Sequence, residues 1–148
     1  YKAEMAEVFF SHASDGRLAK KPGVEELLKY LKENGFKVGL ASSTQEATVR
    51  RQISEGGLLK YFDQIIGGDM VKRSKPEPDI FLEACRRLES EPERCYVIED
   101  SYNGIRAAHA AGMHPIMVPD LMEPTEEMRG LAEKIFESLY DVMEYLNE

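Results

Sequence analysis

Cys95-Tyr96-Val97-Ile98-Glu99-Asp100-Ser101 decides how this chain folds. A short β-rich apolar run ends abruptly in two adjacent carboxylates and a hydroxyl. Asn103-Gly104 then supplies turn chemistry, and the alanine-rich stretch from Ile105 to Met113 has the small residues of a helix packed closely on a sheet. The stretch reads as a strand whose carboxyl end presents acids and feeds straight into a helix. In open α/β sheets ligands sit at the carboxyl ends of strands. Two carboxylates there repel each other and call for positive charge, and hard divalent ions such as Mg²⁺ take one or two carboxylates plus substrate phosphate. The same pair also suits a helix N-terminus, where acids complement the macrodipole. The pair alone leaves both readings open.

Strands and helices alternate on either side of it. Phe36 to Ala41 is apolar at nearly every position apart from Lys37, as a strand buried on both faces should be, and it stops at Ser42-Ser43-Thr44. Before it, Val24, Leu27, Leu28 and Leu31 follow helical spacing up to Asn34-Gly35; after it, a polar helix carries Val49 and Ile53. Tyr61 to Ile66 predicts a further strand, Ile80, Phe81, Ala84, Cys85 and Leu88 a helix, and Pro115 to Pro119 encloses another strand. Ile135-Phe136 suits a short edge strand. Ser138, with Asp141 three residues on, caps a last helix carrying Leu139, Val142, Met143 and Leu146. Residues 1 to 12 place Tyr1, Met5, Val8 and Phe9 on one helical stripe, broken by Ser14-Asp15-Gly16 and followed by a basic, poorly structured link to Lys21-Pro22-Gly23. This alternation predicts a doubly wound, mostly parallel α/β sheet with helices on both faces.

The 148 residues make one domain with a real core. A net charge of −8 argues against nucleic acid or an anionic membrane surface as the main partner. No run of apolar residues is long enough to span a bilayer, and no secretory segment appears. Cys85 and Cys95 read as reduced core residues of a cytoplasmic protein.

In a parallel sheet the loops after the strands gather on one edge, and three of them carry suggestive chemistry. Ser42-Ser43-Thr44 offers hydroxyls and free N–H groups where a helix begins, a natural phosphate cradle but also an ordinary helix cap. Lys75 precedes Pro76, whose rigid backbone can aim an ammonium inward; a loop lysine is equally at home in solvent. Glu99 and Asp100 supply a metal side. His12 has no second ligand spaced to make a metal site with it, His109 in the alanine-rich helix and His114 at the start of a strand read as structural or partly exposed, and Tyr102 and Asn103 are loop residues beside the acids.

Leu40-Ala41-Ser42-Ser43, Ser74-Lys75-Pro76-Glu77-Pro78-Asp79-Ile80-Phe81 and Val97-Ile98-Glu99-Asp100-Ser101 through Gly104 together resemble motifs two, three and four of the haloacid dehalogenase-like hydrolases. Their flavour is that of the β-phosphoglucomutase-like phosphatases and mutases. Lys21-Pro22-Gly23-Val24 resembles the segment that leads from that family's cap back into its core, so the likeness covers residues 20 to 119. The resemblance implies catalytic roles for Ser42 and Lys75. Ser42 would bind the transferring phosphoryl through its hydroxyl, with the Ser43 N–H beside it, and Lys75 would neutralise phosphoryl and nucleophile. Asp100, with Glu99, would hold Mg²⁺ directly or through water. It implies a phosphatase of small phosphorylated metabolites, sugar phosphates above all, working through an aspartyl-phosphate. A sugar-phosphate mutase is the alternative within the fold, and a non-catalytic phosphate-binding module the alternative outside catalysis.

The family's first motif, an Asp-x-Asp pair on a central strand, has no counterpart in this sequence, so no nucleophile is assigned. Asp15-Gly16 lacks a preceding apolar strand and is read as a turn. Residues 1–20 are expected to be the remnant of a helical cap and linker, and 21–148 an incomplete core with a slot between the strands ending at Ser42 and Asp100. A preceding segment of the same protein, with the nucleophile and most of the cap, is the expected partner that completes the sheet, and these residues alone are expected to be inactive.

Overall fold

Glu7–Ser11 (β1) is the centre of the sheet, hydrogen-bonded on both sides and buried at all five positions. The computed structural model describes residues 7–11, 15–120 and 122–147. Its strands are β1, Lys37–Ala41 (β2), Gln64–Ile66 (β3), Cys95–Glu99 (β4), His114–Met117 (β5) and Lys134–Ile135 (β6). They lie in the order β3-β2-β1-β4-β5-β6, and every pairing is parallel. The helices are Asp15–Leu18 (α1), Val24–Glu33 (α2), Glu46–Glu55 (α3), Asp79–Leu88 (α4), Tyr102–Ala110 (α5), Glu126–Leu131 (α6) and Leu139–Leu146 (α7).

Alternate residues of the central strands feed two cores. Val8, Phe10, Val38, Leu40, Tyr96 and Ile98 pack with α2, α3 and α7 on one face. Phe9, Ala41, Cys95 and Val97 pack with α4 and α5 on the other, where Ala107 and Ala108 let α5 approach closely. The doubly wound α/β architecture is thus the one the alternation predicts. Ser138 caps α7 as its sequence indicates, accepting from the Asp141 N–H.

The N-terminal reading is corrected. Where the structure describes residues 1–12, it shows a strand and not a helix, and the expected slot in the sheet is filled by Glu7–Ser11. Val8, Phe9 and Phe10 are apolar at consecutive positions; a strand covered on both faces buries all three, and a gap between two strands offers both of its hydrogen-bonding edges to such a segment. Tyr1, Met5, His12 and Ser14 fall outside the described residues. The expected turn at Asp15-Gly16 is part of α1, and Leu18 from the supposed link is buried. The strand expected from Tyr61 begins only at Gln64, after a 3₁₀ turn over Leu59–Tyr61.

Candidate active site

At the carboxyl end of β4, Glu99 is folded back beneath its own loop. Its Oε1 accepts from the Asp100 N–H at 3.0 Å, the Ser101 N–H at 3.1 Å and the Ser101 hydroxyl at 3.1 Å. Ser101 in turn caps α5 by accepting from the Gly104 N–H. Burial pushes the Glu99 carboxyl up, but the Lys75 charge and then hydrogen bonds from the Asp100, Ser11 and Ser101 positions outweigh it, and the group is held below the ordinary carboxylate range. Glu99 is therefore a buried anion.

Lys75 is its cation. The Lys75 ammonium lies 3.3 Å from Glu99 Oε2 and 5.4 Å from the centre of the Phe81 ring, and its side chain is 9% exposed. It also donates to the Ser11 hydroxyl at the end of β1. Ser11 stands in register with Glu99 on the adjacent strand, so the loop carrying Lys75 meets the ends of both β1 and β4. The sequence reading missed Ser11 because it placed the preceding residues on a helix. Its signal, an apolar run ending in a hydroxyl, is the one that singled out Ser42.

Asp100 is 6% exposed and Ser42 1%. The Ser42 hydroxyl accepts from the Thr44 N–H at 3.0 Å, and its own N–H bonds Ile66 at the end of β3. Ser43, by contrast, is exposed, and the first N–H of α3, that of Glu46, is taken by Asp69 at 2.9 Å. The structure thus gathers Lys75, Glu99 and Ser11 in direct contact with Asp100 adjoining, and sets Ser42 and Ser43 one strand over, beyond the end of β2. Ser11, Glu99 and Asp100 also line a small recess with Lys21, Leu18 and Leu139.

Residues 2–118 match the family described as Haloacid dehalogenase-like hydrolase. This chain belongs to that family. Among curated relatives, this chain is 40% identical over 127 residues to the bifunctional riboflavin kinase/FMN phosphatase of Arabidopsis thaliana, covering 85% of this chain and 33% of that protein. It is 40% identical over 99 residues to the phosphorylated carbohydrates phosphatase of Thermotoga maritima, covering 67% and 46%. The crystal structure of β-phosphoglucomutase from Clostridium difficile superposes with a TM-score of 0.75 at 30% identity, covering 86% of this chain and 54% of that one. The chain thus spans between a third and about half of these proteins' lengths.

The donors at the end of β4 bear on the Mg²⁺ that the resemblance implies. Among the described residues no three His, Cys, Asp or Glu side chains form a set that holds a metal by itself. Glu99 spends Oε1 on its own loop and Oε2 on Lys75. The Asp100 carboxylate and Ser11 hydroxyl are hard oxygen donors, and one carboxylate with substrate phosphate is a usual complement for Mg²⁺. The site therefore fits the ion only together with a phosphate ligand.

Proposed function

We propose that these residues form the phosphoryl-binding edge of a Mg²⁺-dependent phosphatase acting on small phosphorylated metabolites, sugar phosphates in the first place. The buried Lys75–Glu99 pair beside Asp100 carries this reading. Phosphoryl transfer depends chiefly on positioning and on stabilising charge at the equatorial oxygens. Lys75, anchored by Glu99, supplies a fixed cation; Ser42 and the Ser43 N–H would receive phosphoryl oxygens; Asp100 would hold Mg²⁺, which draws charge from the same oxygens. An aspartyl-phosphate requires a carboxylate at the end of the central strand; in this chain Ser11 stands there, so on this reading the acceptor oxygen attacks phosphorus directly as the ester oxygen leaves, and no aspartyl-phosphate forms. Two of the relatives named above are phosphatases and one structure is a mutase; the two outcomes differ in whether water or a sugar hydroxyl receives the phosphoryl group.

A second reading rests on Ser11 itself: with a hydroxyl at the end of the central strand, the chain binds phosphate without turning it over. Among the described residues no helix is long and apolar enough to cross a membrane, and the free, buried Cys85 and Cys95 support a reducing, cytoplasmic setting. Calorimetric titration with inorganic phosphate and Mg²⁺, beside a turnover assay with glucose 1-phosphate, separates these readings. Binding that is weakened at least tenfold by Lys75→Ala is expected on both, with turnover on the first alone; binding insensitive to Lys75→Ala would sink both.

A further inference from the structure

Cys85, in the last turn of α4, and Cys95, the first residue of β4, bring their sulfurs to 3.5 Å from each other. Both are free thiols, 3% and 0% exposed. The Cys95 sulfur also faces the Glu91 carbonyl at 3.3 Å and the Ser90 hydroxyl at 3.8 Å. Those groups belong to the connection from α4 to β4, in which Glu89, Glu91, Glu93 and Arg94 are exposed. The thiols therefore lie directly beneath a surface loop.

Two further observations set this pair apart from ordinary core cysteines. Glu7 stands in register with Cys95 on the adjacent strand, is 4% exposed, and its Oε2 has no hydrogen-bond partner among the described residues. A buried carboxylate oxygen with nothing to accept is costly; here it is a ready acceptor for a proton that a thiol gives up. The Cys85 thiol is pushed up by its bond to Cys95, by burial and, among nearby charges, by Cys95 and Glu7. Holding its proton, it is a poor free nucleophile, and a small oxidant that reaches both sulfurs in place suits it better than a bulky disulfide. The second observation is Glu89, which ends α4 at φ 55° and is the one non-glycine residue in the left-handed region among the described residues. A residue with a Cβ is strained there, and the strain sits at the joint that must move if the last turn of α4 is drawn toward β4.

We propose that Cys85 and Cys95 are a modification site for hydroperoxides, closing to a disulfide that ties the last turn of α4 to the start of β4. One sulfur attacks a peroxide oxygen and the O–O bond breaks, giving a sulfenic acid and one water or alcohol; Glu7 takes the thiol proton and passes it to the departing oxygen. The second sulfur attacks the sulfenic sulfur and expels water. The two sulfurs give two electrons to the peroxide, and both thiol protons leave in the products. The sulfurs close from 3.5 Å to a bonded distance of about 2 Å. The elements tied in this way are the two whose other ends place Phe81 against Lys75 and carry Glu99.

The test treats the reduced chain with millimolar hydrogen peroxide in the absence of denaturant, then blocks remaining thiols in urea and maps the fragments without reduction. The expected result is a link between Cys85 and Cys95 within single chains. Its melting temperature should stand about 5 °C or more above that of the same sample after dithiothreitol, which opens the link and leaves oxidised methionine as it is. Cys85→Ala, treated alike, should show no such difference. In Glu7→Gln the link should form at least about tenfold more slowly. Sulfinic acid on either cysteine in place of the link, links between chains, a link that forms only in urea, an unchanged rate in Glu7→Gln, or no fall in melting temperature on reduction would each overturn the proposal. These readouts are linkage and melting temperature, so the outcome is independent of phosphate binding and turnover.

Discussion

Gly104 lies against the Glu99 carboxylate so closely that a Cβ at position 104 would coincide with it. The first turn of α5 and the buried anion of β4 are thus one unit, with Ser101 bonded to both.

Gly104→Ala is expected to destabilise the chain by about 1–3 kcal/mol, as overpacking does. The sign is diagnostic, because alanine in place of an unobstructed helical glycine stabilises by about 1 kcal/mol. Urea denaturation decides between them: a midpoint that rises would mean that Glu99 does not fill this space.

Removing the cation should cost more. Lys75→Met leaves the Glu99 anion buried without its ion-pair partner, and breaking a buried pair from one side costs about 3–5 kcal/mol. The double variant Lys75→Met/Glu99→Gln should recover most of that loss. A double variant no more stable than Lys75→Met would show that the pair is not the origin of the effect.

Acid should expose the same pair. The Glu99 carboxyl is depressed in the folded chain relative to its ordinary value of 4.5, so its contribution is complete above that value and lost as pH falls through the folded one. Stability measured from about pH 6 down to about pH 2 should therefore fall less steeply in Glu99→Gln than in the parent chain. Parallel curves would mean that Glu99 titrates alike in the folded and unfolded chains.

Asp100→Asn removes the ionised oxygen proposed for Mg²⁺ and should weaken Mg²⁺ binding, measured by calorimetry in the presence of inorganic phosphate, by about tenfold or more. The fold should survive, since the Asp100 N–H that supports Glu99 is retained. Equal affinity in variant and parent would take Asp100 out of the metal's reach.

How far the sequence could be read depended on what each segment's neighbours were. β2 and β4 were legible because parallel strands covered on both faces are continuous apolar runs, here ended sharply by Ser42 and by Glu99-Asp100. Lys75 was legible as chemistry because of the proline-rich loop around it, although its bond to Ser11 was not. Glu7–Ser11 was illegible because five residues with three apolar side chains satisfy a helical stripe and a buried strand equally well; what decides is the gap between β2 and β4, which no local pattern contains. The surroundings of the Glu99 oxygens were hidden in a related way. Their demand is met by the backbone of their own loop, a feature of geometry and not of residue type.

The central position of β1 also sets an order of events in time. Glu7 pairs with Lys37, 37 − 7 = 30 residues along, but with Cys95 only 95 − 7 = 88 residues along. During synthesis the strand can acquire one neighbour early, yet its other edge has no native partner until the ribosome has released β4. Through that interval an apolar edge built on Val8, Phe9 and Phe10 is open to any other extended chain, and contacts of such long sequence separation form slowly.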